Sequence, residues 1–271
     1  MNKFIQDSLI GIYRLVKSTG ALDTALGRKV FESAYQVYKA RLEAGPIQVL
    51  RSYVRPGTVV VDIGANIGFY TRPFASWVSD GGKVIAVEPE AMNFARLQHA
   101  IESAGLGDVV EMIQAAVSDQ TGSGFLEVNP GHPGDHKLGA EGVPVALTTL
   151  DDLLAARGWP EVSFIKIDVQ GAESRVLAGA AGTLERFRPV LFLELDDQQL
   201  RRFGSSAAEL LTSTGLQGYT IHSREGAGIS APLTVDQALA RAEASGYDDL
   251  LLLPDQQPDS TGNQRRMSAS S

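Results

Sequence analysis

The sequence predicts an α/β domain built on a mostly parallel, doubly wound sheet. Three observations predict it. Short valine-rich runs alternate with stretches of helical period between Thr58 and Phe187. The first run ends in an acid and opens into a loop with two glycines four residues apart. The second run also ends in an acid, 20 residues beyond that loop, and acids at strand carboxyl ends mark the binding edge of such sheets.

The elements follow in chain order. Residues 1–50 read as a helical arm. Ile5, Leu9, Ile12, Tyr13 and Val16 recur at steps of three and four, and a second helical stretch runs from Val30 to Glu43, stopped by Ala44-Gly45-Pro46. Nine Lys/Arg stand against four Asp/Glu over residues 1–55. That balance suits either the solvated side of a packed arm or a surface that meets an anionic substrate or a membrane. Residues 51–253 read as the main domain. Thr58–Ile63, between Arg55-Pro56-Gly57 and Gly64, is a buried strand, and Lys83–Val87, Val109–Val117, Ser163–Val169 and Val190–Leu195 read the same way. Helices are expected over Phe69–Val78, Asn93–Ser103, Thr149–Ala156 and Ala172–Phe187. Gly122–Pro144 is rich in Gly and Pro and is too long for a plain connection, so it reads as an excursion with a function. Gln217–His222 and Asp248–Leu253 read as closing strands around a helical stretch, Thr234–Ser245, giving the sheet an antiparallel end. Residues 254–271 lack any apolar period and read as a disordered tail.

Composition narrows the function. The 271 residues carry 24 Lys+Arg and 32 Asp+Glu, a net charge of -8, which argues against a nucleic-acid binder. There is no Cys, so thiol nucleophiles, disulfides and Cys-ligated metals are excluded. No segment reads as a targeting peptide or a membrane span, and a cytoplasmic protein is the expectation.

The chemistry concentrates at the strand ends. Val59-Val60-Val61-Asp62-Ile63-Gly64-Ala65-Asn66-Ile67-Gly68 is a strand, an acid and a turn. Gly64 would let a ligand approach the backbone, and Gly68 would open the helix. A dinucleotide loop wants G-x-G-x-x-G, whereas this spacing is G-x-x-x-G, and Asp62 would repel a diphosphate. A ligand with an ammonium group, such as S-adenosylmethionine, suits it better. Glu88, closing the second strand, is placed to accept both hydroxyls of a ribose. Small residues around Ala116 leave room for an adenine ring. Asp168 closes the fourth strand and is a candidate base, metal ligand or substrate anchor, with a helix N-cap as the structural alternative. Lys166 shares its face and would hold that carboxylate. His132 and His136 lie in the excursion, where a lid with a second base would sit. Glu194 ends the fifth strand at the same edge.

Six segments in order resemble the FkbM family of S-adenosylmethionine-dependent methyltransferases. They are Asp62-Ile-Gly-Ala-Asn-Ile-Gly68 with the following Phe69-Tyr70-Thr71, Ile85-Ala-Val-Glu-Pro89, Ala115-Ala-Val-Ser-Asp119, Thr148-Thr-Leu-Asp-Asp152, Phe164-Ile-Lys-Ile-Asp-Val-Gln-Gly171 and Arg188-Pro-Val-Leu191. The resemblance covers about residues 50–222. It implies a Rossmann-like class I methyltransferase fold and methyl transfer to a hydroxyl of a sugar, a polyketide or another natural product. It also implies cofactor contacts at Asp62, Gly64, Asn66, Gly68, Thr71, Glu88 and Ala116. The partners so implied are a small-molecule or glycoconjugate acceptor; a divalent metal stays open. Gln170 departs from the pattern, which usually has Glu there, and Pro73 falls early in the first helix. Two rival readings remain: an NAD(P)-dependent oxidoreductase, and a catalytically silent methyltransferase fold used for binding.

Overall fold

The computed structural model describes residues 47–128 and 136–255. The expected arm, apart from its last few residues, His132 and nearly all of the expected tail lie outside them.

The chain enters through a 3-10 turn, Val49–Tyr53, and then alternates strand and helix. The order is β1 (Val59–Ile63), α1 (Thr71–Trp77), β2 (Lys83–Val87), α2 (Ala91–Ser103) and β3 (Val110–Ile113). A side sheet follows, made of β4 (Ala116–Val117), β5 (Gly122–Glu127), β6 (Lys137–Gly139) and β7 (Val143–Thr148). The main fold resumes with α3 (Leu150–Ala155), β8 (Val162–Ile167), α4 (Glu173–Ala178), α5 (Ala181–Phe187) and β9 (Val190–Leu195). It closes with α6 (Asp197–Arg202), α7 (Ala207–Leu211), β10 (Tyr219–Glu225), β11 (Gly228–Ile229), α8 (Val235–Ser245) and β12 (Asp248–Pro254).

The main sheet has eight strands in the order β11-β10-β12-β9-β8-β1-β2-β3. Strands β9, β8, β1, β2 and β3 run parallel; β12 is antiparallel to β9, and β10 is antiparallel to β12. Helices cover both faces. Phe74 of α1 and Leu97 and Ile101 of α2 pack on one side with Val60, Phe164 and Phe192. Leu150 of α3, Val176 of α4, Leu184 of α5, Leu210 of α7 and Ala238 of α8 pack on the other with Val61, Ile165 and Leu193. The central strands are buried on both faces, so period-two alternation vanishes and they read as continuous apolar runs. Strand order reverses between β1 and β8, and that switch point opens a crevice at the carboxyl ends.

Four expectations need correction. Val109–Val117 is not one strand, because β3 joins the main sheet and β4 belongs to the side sheet. The Gly/Pro-rich excursion carries strands β5, β6 and β7 paired antiparallel rather than loop alone. Ala172–Phe187 is two helices, broken at Gly179, whose absent Cβ would sit 2.0 Å from the Ser118 carbonyl oxygen. The antiparallel end has three strands, β12, β10 and β11, instead of the two expected. Among the described residues no helix is long and apolar enough to cross a membrane.

Candidate active site

The turn after β1 is a backbone construction. Gly64 and Ala65 both donate their N–H to the Val87 carbonyl at 3.0 Å, and Gly68 donates to Ala65 at 2.9 Å. Gly64, Asn66 and Gly68 hold φ of 74°, 51° and 88°. A Cβ on Gly64 would stand 1.9 Å from the Asp168 carbonyl oxygen, so this glycine admits the neighbouring strand as well as lining the cleft. At Gly68 the added carbon would meet the Leu97 side chain at 2.9 Å, which seats α1 on α2. Pro73 falls at the third helical position of α1, where no intrahelical N–H is missed.

Glu88 follows β2 and is buried, with its carboxylate braced on both sides. Oε2 accepts the Asn66 N–H at 2.8 Å and Oε1 accepts the Glu90 N–H at 2.9 Å. Burial pushes its carboxyl up to about 7, against the pull of those two N–H groups and of the Lys166 charge. Each carboxylate oxygen has two acceptor sites, so this geometry leaves capacity for a donor pair from the cleft.

Asp62 and Asp168 stand on either side of one cation. Lys166 lies opposite Asp62 in the β1–β8 register. Its Nζ is 3.4 Å from Asp62 Oδ1 and 3.5 Å from Asp168 Oδ2, and it donates to the Gly64 carbonyl at 2.7 Å. The ammonium also sits 5.3 Å over the Tyr70 ring. Burial pulls the lysine down, and the Asp168 and Asp62 carboxylates outweigh it, so the group stays above its ordinary value. Asp62 is 0% exposed, and its Oδ2 accepts the Thr71 hydroxyl at 2.6 Å. Asp168 is 38% exposed and faces the cleft. Its Oδ1 accepts the Gln170 amide at 3.1 Å. The Asp168–Gly171 turn is held from below by buried Glu173, which accepts the Val169 and Gly171 N–H groups at 3.3 and 3.2 Å. Gln170 holds φ 55° without being glycine, a left-handed conformation that costs on the order of 1–2 kcal/mol.

These elements line a cleft that is open to solvent. One wall carries Glu88, Asn66 and Asn93, the next Ala115, Ala116 and Val117, and the far side Asp168, Val169 and Gln170. The side sheet supplies Leu126 and Leu138, and His136 stands just before β6. The structure thus brings together Gly64, Asn66, Glu88, Ala116, Asp168 and His136. It does not bring Asp62, Thr71 or Gly68 to the cleft. Asp62 and Thr71 bond each other in the interior, so the expected contact between Asp62 and a ligand ammonium meets an enclosed carboxylate. Sequence reasoning misses Asp62 as a partner of Lys166, since that pairing depends on strand order. Glu194 stands near Asp168 and Asp249 but outside the cleft, and burial together with those two carboxylates pushes it up to about 9. Among the described residues no group of three or more His, Asp or Glu is placed to hold a metal ion.

Comparison with known proteins is specific. The family model described as "Methyltransferase FkbM domain" matches residues 62–221. The chain is 28% identical over 173 residues to "2-O-methyltransferase NoeI" of Sinorhizobium fredii, covering 56% of this chain and 69% of that protein. It is 34% identical over 161 residues to "31-O-demethyl-FK506 methyltransferase FkbM" of Streptomyces tacrolimicus, covering 46% and 60%. It is 28% identical over 156 residues to "Hexuronic acid methyltransferase AglP" of Haloferax volcanii, covering 57% and 63%. The match therefore spans between three fifths and seven tenths of these relatives' own lengths.

Proposed function

The chain belongs to the FkbM methyltransferase family, and on that premise we propose that it methylates a hydroxyl oxygen of a sugar-bearing or other natural-product acceptor with S-adenosylmethionine as donor. The observation that carries this reading is the braced Glu88 carboxylate facing the small-residue wall at Ala115–Val117, with Asp168 across the same cleft. The donor set fits the cofactor: a carboxylate with free acceptor sites suits a ribose diol, and alanine side chains leave space for a flat ring. Two of the relatives are named for O-methylation and the third for a hexuronic acid, which supports an oxygen acceptor on a sugar or comparable scaffold.

Bound S-adenosylmethionine supplies an electrophilic methyl carbon, which passes to the acceptor oxygen as its carbon–sulfur bond breaks. The residues of this chain provide the rest. Glu88 holds the ribose end, and the Asn66 N–H fixes Glu88. Asp168 accepts the proton that the hydroxyl loses as the oxygen attacks, with the Lys166 ammonium 3.5 Å from its Oδ2. His136, just before β6, faces the same cleft and either relays that proton or positions the acceptor. Positioning of the two reactants contributes up to about 7–11 kcal/mol in model reactions.

Calorimetric titration with S-adenosylhomocysteine and, separately, NAD tests the reading. Binding of the first alone is expected. Binding of NAD alone points to an oxidoreductase, and S-adenosylhomocysteine binding without turnover on a broad panel of hydroxylated acceptors points to a silent binding fold.

A further inference from the structure

Asp168 is aimed by more than Lys166. Gln170 Nε2 donates to Asp168 Oδ1 at 3.1 Å, and Gln170 Oε1 accepts from Gln199 Nε2 at 2.9 Å. Gln199 lies on α6, after the next strand, and does not line the cleft. The polarity of this chain of bonds has one source. An ionised carboxylate only accepts, so Gln170 must turn its NH₂ to Asp168 and its oxygen away. That oxygen then needs a donor, and Gln199 supplies it. The Gln199 oxygen is buried and has no hydrogen-bond partner among the described residues. A half-buried amide whose oxygen is left unpaired while its NH₂ donates one bond is costly, which argues that the donated bond matters. The backbones also pack closely: a Cβ on Gly171 would stand 2.5 Å from the Gln199 carbonyl oxygen, so the turn rests directly on α6. α6 is itself anchored, its Gln198 and Gln199 N–H groups donating to Asp196 at 2.9 and 3.1 Å.

We infer that Gln199 is a positioning residue for methyl transfer, acting through Gln170 to hold the Asp168 carboxylate toward the acceptor. Lys166 grips one carboxylate oxygen and the amide pair grips the other, so the group cannot rotate away between turnovers. With Gln199 removed, the Gln170 oxygen loses its donor, and the side chain is free to swing to solvent and release Asp168.

This inference rests on the methyltransferase reading, and the test separates the two. Gln199→Met keeps length and packing but loses the donor; Gln199→Lys restores a donor. The expected result is a five- to tenfold lower kcat for Gln199→Met, with S-adenosylmethionine KM and S-adenosylhomocysteine affinity within twofold of the parent, and recovery of most of kcat in Gln199→Lys. Gln170→Leu, which removes both bonds of the relay, is expected to lose at least as much as Gln199→Met. A measurement without acceptor accompanies these: the Gln170 side-chain amide resonance, assigned through its loss in Gln170→Met, is expected to shift in both Asp168→Asn and Gln199→Met. A parent-like kcat in Gln199→Met, a parallel loss of kcat and cofactor affinity, or an amide resonance indifferent to both substitutions overturns the relay. Failure of the parent protein to bind S-adenosylhomocysteine overturns the underlying methyltransferase reading instead.

Discussion

The tips of β1 and β8 carry the same residue type against the same cation and do different work. Asp62 and Asp168 lie 3.4 and 3.5 Å from Lys166, yet one carboxylate is sealed in the interior and the other looks into the cleft. The register explains the split. β1 is central, with β8 on one side and β2 on the other, and the turn after it folds Thr71 back over Asp62. Above Asp168 the turn carries Gln170 at positive φ, and the carboxylate keeps 38% of its surface exposed. Enclosure makes the first acid a strut, and exposure leaves the second open to the cleft. Residue type alone would assign both to the ligand.

The largest effect expected from breaking this arrangement comes from the shared cation. Lys166→Met leaves Asp62 buried with only Thr71 as a hydroxyl donor, and losing one partner of a buried ion pair costs about 3–5 kcal/mol. In a domain of this size that lowers Tm by roughly 10 °C, measured by calorimetry. A change under about 2 °C would mean that Asp62 is not held by the lysine.

Next comes the exposed carboxylate. Asp168→Asn is expected to cut turnover more than tenfold while S-adenosylhomocysteine affinity and Tm stay close to the parent. Equal turnover removes Asp168 from the mechanism.

Glu88 sharpens the comparison through pH. Its carboxyl titrates at about 7, and a diol prefers the ionised form, so S-adenosylhomocysteine affinity should weaken as pH falls below 7, approaching tenfold per unit. Titration calorimetry between about pH 6 and 8.5 reads this directly. Stability of the free protein has the opposite sign. A carboxyl raised above its unfolded value stabilises the fold below about pH 4.5, and that contribution is lost as pH rises through about 7; Glu173, also pushed up to about 7 by burial, adds to the same trend. A flat affinity profile would place the ligand away from Glu88.

The smallest effect belongs to the cover over Asp62. Thr71→Val removes one hydrogen bond to a buried carboxylate and is expected to cost about 1–3 kcal/mol with turnover per folded molecule unchanged. A turnover loss without a change in stability would return Thr71 and Asp62 to the ligand site.

Much of this architecture is legible in the amino-acid sequence. The runs at Val59–Ile63, Lys83–Val87 and Val190–Leu195 are strands at the expected bounds, or within one residue of them, because buried central strands leave continuous apolar segments. Glu88 and Asp168 are readable as edge acids because strand ends are marked by turns. The side sheet is not readable: β5 is Gly-Ser-Gly-Phe-Leu-Glu, with a single buried side chain, so it shows neither alternation nor an apolar run. The short helices α6 and α7 escape for a similar reason, since five or six residues do not complete a periodic pattern.

By itself, then, the amino-acid sequence determined the class of sheet, the position of its glycine turns and the acids that end its strands, since these depend on contacts and dihedral preferences within a dozen residues. Only the tertiary structure decided which acid faces the cleft and which braces the interior. That choice depends on Lys166 lying opposite Asp62 and on α6 reaching back to Gln170, pairings between strands and helices up to about a hundred residues apart that no local pattern encodes.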